Sequence, residues 1–244
     1  MKLGNGRLEK IKNHFFVGEA GSGKSEIAIN YAKYLLEGKN KKVHFFDMDM
    51  TKPLFRSRDV RQELEHMGIE FHYEEQFMDA PTLVGGVRRL LKNQDSYVVI
   101  DVGGDHIGAR ALGGFASFFN QDDCTVFYVI NSYRPWSLNM EHIDLVLGEI
   151  LGVSRIPLEC LHIISNPNIG SLTETKDVLK GHRRLEEMIN QYKDISLVCV
   201  REELYESVKG MVTLPIMAIH LFLEYPWQDL EKPHNNTLYR LSGG

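Results

Sequence analysis

The chain has 244 residues, 43% hydrophobic and 25% charged, with a net charge of −5 at pH 7. That length and composition suit a globular α/β protein with a sizeable core, and the acidic balance argues against nucleic acid or an anionic membrane as a partner. Cys124, Cys160 and Cys199 are scattered without a CxxC pair, and the longest apolar stretch, Val212–Leu223, is broken by Pro215 and His220. A reducing, cytoplasmic setting is therefore expected, with no secretory signal, disulfide framework or membrane span.

Short β-branched or aromatic runs alternate with longer helical patterns along the chain, which predicts βαβ units and a mostly parallel sheet. The runs are His14–Val17, Val43–Phe46, Tyr97–Val102, Thr125–Ile130, Leu161–Ser165, Leu197–Val200 and Met217–Leu223, with Ile69–Tyr73 as an edge strand. Several are apolar almost throughout, as strands covered on both faces should be. Helices are predicted over Lys24–Leu36, Pro81–Leu91, Leu138–Leu151 and Thr173–Tyr192, where apolar residues recur at helical spacing. No linker divides the chain, so one domain is expected over residues 1–244, with a polar tail at 227–244.

The segment Gly18-Glu19-Ala20-Gly21-Ser22-Gly23-Lys24-Ser25 follows the first strand and opens the first helix. GxxxxGK[ST] in that context is a P-loop, whose backbone N–H groups surround phosphates at a helix N-terminus. Gly18, Glu19, Ala20, Gly21, Ser22, Gly23, Lys24, Ser25 and Glu26 are thus the expected nucleotide-binding run. Lys24 would reach the β- and γ-phosphates, and the Ser25 hydroxyl would take a Mg²⁺ position. Asp47-Met48-Asp49 ends the second strand, where Asp49 is placed to hold a metal-bound water or orient the attacking water. Asp101 closes the strand Tyr97–Val102 in the Walker B manner, for Mg²⁺ through its water shell. Gly103 and Gly104 lead on to Asp105, a second residue for positioning water. Downstream, Gly108, Gly113 and Gly114 suit either a mobile segment or close helix packing.

Together these pieces resemble the MinD/ParA/CobQ-type ATPases of the SIMIBI class, which include the nitrogenase iron protein. The run Asp101–Asp105, followed by Gly113-Gly114-Phe115-Ala116, is similar to the iron protein's switch II. The resemblance covers nearly the whole chain. It implies a three-layer P-loop NTPase fold with helices on both faces of the sheet, ATP or ADP with Mg²⁺ as ligands, and a nucleotide-driven switch acting on a partner protein such as a metalloenzyme. It also implies that Asn166 reads adenine and that the backbone of Val200 and Arg201 flanks the base. A carboxamide suits the first task because it both donates and accepts. Glu19 stands where many members carry a lysine that reaches the partner subunit's nucleotide, so a homodimer, if formed, lacks that contact. Switch II holds no cysteine, so no iron–sulfur cluster is expected. The absence of an NKxD motif favours ATP over GTP.

Arg134 and Trp136, after Thr125–Ile130, offer a phosphate or carboxylate partner and a stacking surface, or an ordinary surface loop. Thr51–Arg58 is the switch I candidate. The ten histidines form no HxH, HxxxH or mixed Cys/His pair with ligand spacing, so no histidine metal site is expected. Two further functions stay open: a small-molecule kinase or amide ligase on this fold, and a module that holds nucleotide without turning it over.

Overall fold

Among the described residues, eight strands pair in parallel into one sheet, in the order β3-β2-β4-β1-β5-β6-β7-β8. A computed structural model describes residues 11–38, 41–48, 60–73, 83–104, 110 and 112–223. The strands are β1 (Asn13–Val17), β2 (Lys42–Met48), β3 (Ile69–Tyr73), β4 (Ser96–Val102), β5 (Cys124–Ile130), β6 (Leu161–Ser165), β7 (Ile195–Arg201) and β8 (Ile216–Ile219). The helices are α1 (Lys24–Gly38), α2 (Arg61–Met67), α3 (Leu83–Lys92), α4 (Ala116–Phe119), α5 (Met140–Ser154), α6 (Thr175–Ile189) and α7 (Tyr205–Val208).

Every residue of β1, β4 and β5 is buried, as the near-continuous apolar runs require. Successive side chains point to opposite faces. Phe16, Phe45, Val99 and Phe127 therefore meet Ile27 and Tyr31 of α1. Phe15, Ile100, Val126 and Tyr128 enter a second core with residues of α3, α4, α5 and α6. The α/β three-layer architecture is as expected, with Ile69–Tyr73 at the sheet edge beside β2. Among the described residues no helix is long and apolar enough to cross a membrane.

The differences from expectation trace to particular hydrogen bonds and caps. β8 ends at Ile219 rather than Leu223, because the next backbone groups turn to α1. The N–H of His220 donates to Asn30 Oδ1, and those of Phe222 and Leu223 donate to the Glu26 carboxylate. α6 starts at Thr175 instead of Thr173: Glu174 and Asp177 form a capping box, while the Thr173 hydroxyl donates into the preceding loop. α5 starts at Met140 because the Asn139 side chain caps it by accepting from the His142 N–H. α2 went unforeseen; it is short, with Leu64 as its buried anchor and an Arg61–Glu65 ion pair one turn apart. Gly113 and Gly114 lie in a helical turn leading into α4; a Cβ on Gly113 would lie 3.2 Å from the Val153 carbonyl oxygen, whereas one on Gly114 would meet open space.

Asp49, Asp105, Gly108, the Thr51–Arg58 segment and the tail at 227–244 lie outside the described residues.

Candidate functional site

The strand order reverses at β1, which has β4 on one side and β5 on the other. In parallel sheets the crevice outside the carboxyl ends at such a reversal takes the ligand. β1 leads directly into the glycine loop, and α1 begins at Lys24. Gly18, Gly21 and Gly23 all have positive φ, at 145°, 77° and 87°, so the loop curls with its amides inward. Gly23 is also sterically committed: a Cβ there would lie 2.3 Å from the Asn166 side-chain nitrogen. Lys24 and Ser25 are buried, at 1% and 5% exposure.

Two carboxylates lie beneath this turn. Asp101 is the register partner of Phe16 in β1 and of Asp47 in β2. Partners in a parallel ladder face the same way, and Phe16 packs in the α1 core. Alternation therefore turns Asp47 and Asp101 toward α1, near its N-terminus. Both are fully buried. Asp49 is the residue expected from the sequence to act here, yet it is Asp47 that the register places beside Asp101. Immediately beyond Asp101, a Cβ on Gly104 would lie 2.7 Å from the Ala20 nitrogen, 2.9 Å from the Glu19 carbonyl carbon and 3.0 Å from Lys24 Nζ. The exit of β4 thus passes directly over the glycine loop, and only a hydrogen fits there.

Glu19 turns inward rather than outward: the residue is buried and feels Glu149 of α5 as well as Lys24. Burial first, and Glu149 second, push its carboxyl up to about 7, with Lys24 opposing them. Glu26, one turn into α1, is spent on the chain's own backbone at Phe222 and Leu223. Burial holds its carboxyl near 7 as well, despite those two donors.

The other side of the crevice is assembled from amides. Asn166 Nδ2 donates to the Ser22 carbonyl at 2.7 Å, which fixes the orientation of the amide, since an oxygen turned to that carbonyl would be repelled. Its Oδ1 is buried without a hydrogen-bond partner among the described residues. Asn131 Nδ2 donates to the Asn168 carbonyl, and Asn168 Oδ1 accepts from the Gly170 N–H and the Thr173 hydroxyl. Arg201 clasps the same loop by donating to the Gly170 and Ser171 carbonyls, while Val200 is buried in a small core with Val178. Arg134 Nε donates to the Gly21 carbonyl at 2.9 Å, and Trp136 stays exposed. A cleft lined by Gly21, Gly23, Asn166, Ile169, Gly170 and Leu221 opens between the glycine loop and this amide network.

His44, Glu70 and His72 gather on one sheet face with their ligand atoms within 4.8 Å of one another. Spacing along the chain does not join them, because they come from two adjacent strands. The readable trace was Glu70-Phe71-His72, whose outer members share a strand face.

No protein-family model matches the chain, and no curated protein matches it by sequence. Among solved structures it is similar to a nucleotide-binding protein in complex with ADP from Archaeoglobus fulgidus, at 19% identity and a TM-score of 0.49, covering 79% of this chain and 82% of that one. It is also similar to a ParA family ATPase from Chlorobium tepidum TLS, at 16% identity and a TM-score of 0.47, covering 79% and 86%. A third is FlhF complexed with GTP and Mg²⁺, at 15% identity and a TM-score of 0.47, where the match covers 73% of this chain and only 63% of that protein.

Proposed function

We propose that this chain is a Mg²⁺-dependent ATP-binding protein of the MinD/ParA/CobQ type that hydrolyses ATP and thereby switches its grip on a partner protein. The observation that carries this reading is the convergence of Lys24 and Ser25 with Asp47 and Asp101 at the point where the strand order reverses. The loop amides and Lys24 receive the phosphates. The Ser25 hydroxyl and the Asp101 and Asp47 carboxylates are hard oxygen donors, the kind Mg²⁺ prefers; bound there, Mg²⁺ would neutralise phosphate charge. Asp49 and Asp105 keep their assignment as the residues that position water. Asn166 reads the base with Oδ1 and its second amide hydrogen, the first being committed to Ser22. Val200 and Arg201 do not line the cleft beside the glycine loop themselves; Arg201 acts on the base side by holding the Gly170–Ser171 loop that does.

Gly104 supplies the switch. It touches the glycine loop and Lys24 at the head of the segment that begins after Asp101, so loss of the γ-phosphate is felt there at once. By the resemblance, the partner is a protein such as a metalloenzyme. The inward turn of Glu19 favours hydrolysis completed within one chain over an active site shared across a homodimer.

Replacing Lys24 by Ala should weaken ATP binding by about 3 kcal/mol, roughly 100-fold in Kd, and abolish Mg²⁺-dependent phosphate release. An unchanged hydrolysis rate in that variant would sink the proposal. Transfer of phosphate to a small acceptor instead of water would shift it to a kinase, and a bound nucleotide that stays intact with Mg²⁺ would shift it to a static binder.

A further inference from the structure

We propose that His44, Glu70 and His72 form a second metal site, binding one Zn²⁺ at the β2–β3 edge of the sheet. The site arises from register: His44 lies opposite Glu70, and Phe46 lies opposite His72. The three side chains therefore project from one face of two adjacent strands. His44 Nδ1 lies 3.2 Å from His72 Nε2 and 3.1 Å from Glu70 Oε2. A tetrahedral zinc with ligands at about 2.0–2.1 Å needs its donor atoms about 3.3 Å apart, and these distances come close to that spacing.

The surroundings orient the ligands. Lys42 Nζ holds Glu70 Oε1 at 2.7 Å, which leaves Oε2 turned to the imidazoles. Phe46 stacks on the His72 ring at 4.4 Å and limits its rotation. His44 is buried, while Glu70 and His72 are half-buried, so the ion would be held at the rim with its fourth position open to water. The two imidazoles are borderline donors, and with a single carboxylate completing the set the site is better matched to Zn²⁺ than to Mg²⁺. β2 and β3 lie two and three strands from β1, about 10–14 Å across the sheet at ordinary strand spacing, so this site is separate from the phosphate cradle. Its consequence is structural: an ion shared by β2 and β3 pins the edge strand to the sheet.

The test uses the full chain without a histidine tag, stripped with EDTA and titrated with Zn²⁺ in the presence of excess MgADP to occupy the P-loop. Bound zinc is counted by elemental analysis, and thermal melting is followed in parallel. The expected result is one equivalent of Zn²⁺ at micromolar affinity or tighter, with a rise in Tm. Both effects should be lost by at least 100-fold in affinity in His72→Ala and in Glu70→Gln. Glu70→Gln is the control for folding, because it keeps the side-chain volume, and its ATP hydrolysis without zinc should match the parent. Absence of micromolar zinc binding would overturn the proposal and leave the trio as a hydrogen-bonded edge cluster; so would unchanged binding in both variants. Neither outcome depends on whether the P-loop hydrolyses ATP.

Discussion

In the nucleotide site proposed above, the phosphate end brings four ionisable side chains, Lys24, Asp47, Asp101 and Glu19, to the first turn of α1, each at most 9% exposed. At the base end, Asn131, Asn166, Asn168 and Thr173 are neutral, and their hydrogen bonds run to one another and to nearby backbone. Buried charges are held against a desolvation cost and respond to any change of charge nearby. A network of paired amides is built before the ligand arrives and responds to loss of shape instead. The phosphate end should therefore be broken most by altering charge or backbone approach, and the base end should change selectivity more than affinity.

The sharpest way to break the comparison is Asp101→Asn. It keeps the volume and removes the charge, so Mg²⁺-dependent hydrolysis should fall by roughly 100-fold or more, while ADP binding measured without metal changes little. Equal losses with and without metal would mean that Asp101 supports the loop rather than the ion.

Gly104→Ala tests backbone approach at the same end. The added Cβ would stand 2.7 Å from the Ala20 nitrogen, and overpacking of this kind costs about 1–3 kcal/mol. Nucleotide affinity should drop by roughly 10-fold, with little change in Tm if the strain is taken up in the loop. Calorimetric titration against the parent protein checks it.

The base end predicts a different outcome. Asn166→Ala removes the bond to Ser22 and the groups assigned to the adenine edge, so ATP should weaken by about 1–2 kcal/mol. GTP, which lacks the matching edge, should weaken less, and the ATP-to-GTP ratio should contract. A uniform loss for both nucleotides would make Asn166 a brace for the loop alone.

Much of this was legible in the residues. The strands stood out because burial on both faces leaves apolar runs such as Cys124–Ile130, and the P-loop because its spacing is dictated by one backbone curl. What escaped depends on neighbours brought together by strand order. Asp47 meets Asp101 only because β2 and β4 are adjacent. His44 meets Glu70 and His72 only because β3 adds in parallel beside β2. The early end of β8 is set by Glu26 and Asn30, nearly two hundred positions earlier. Glu19 read as a lost lysine, but its inward turn needed α5 to be in place.

Glu19 also carries the finest distinction between the two ends, because its carboxyl is raised to about 7 while Asn166 does not titrate. An acid with a raised folded-state pKa keeps its proton while the unfolded chain has already released it. Between about pH 4.5 and 7 this costs stability progressively as pH rises, and the cost levels off above 7. Glu19→Gln removes that penalty, so its Tm should gain on the parent's from pH 5 to pH 8. The same ionisation places an anion against Lys24, where it competes with phosphate. ATP should therefore bind a few-fold more tightly at pH 6 than at pH 8 in the parent, and the dependence should flatten in Glu19→Gln once nucleotide protonation is matched. Asn166→Ala should keep the parent's slope. If it flattens the slope too, the titrating group lies elsewhere, and Glu26, also raised by burial, is the next to replace.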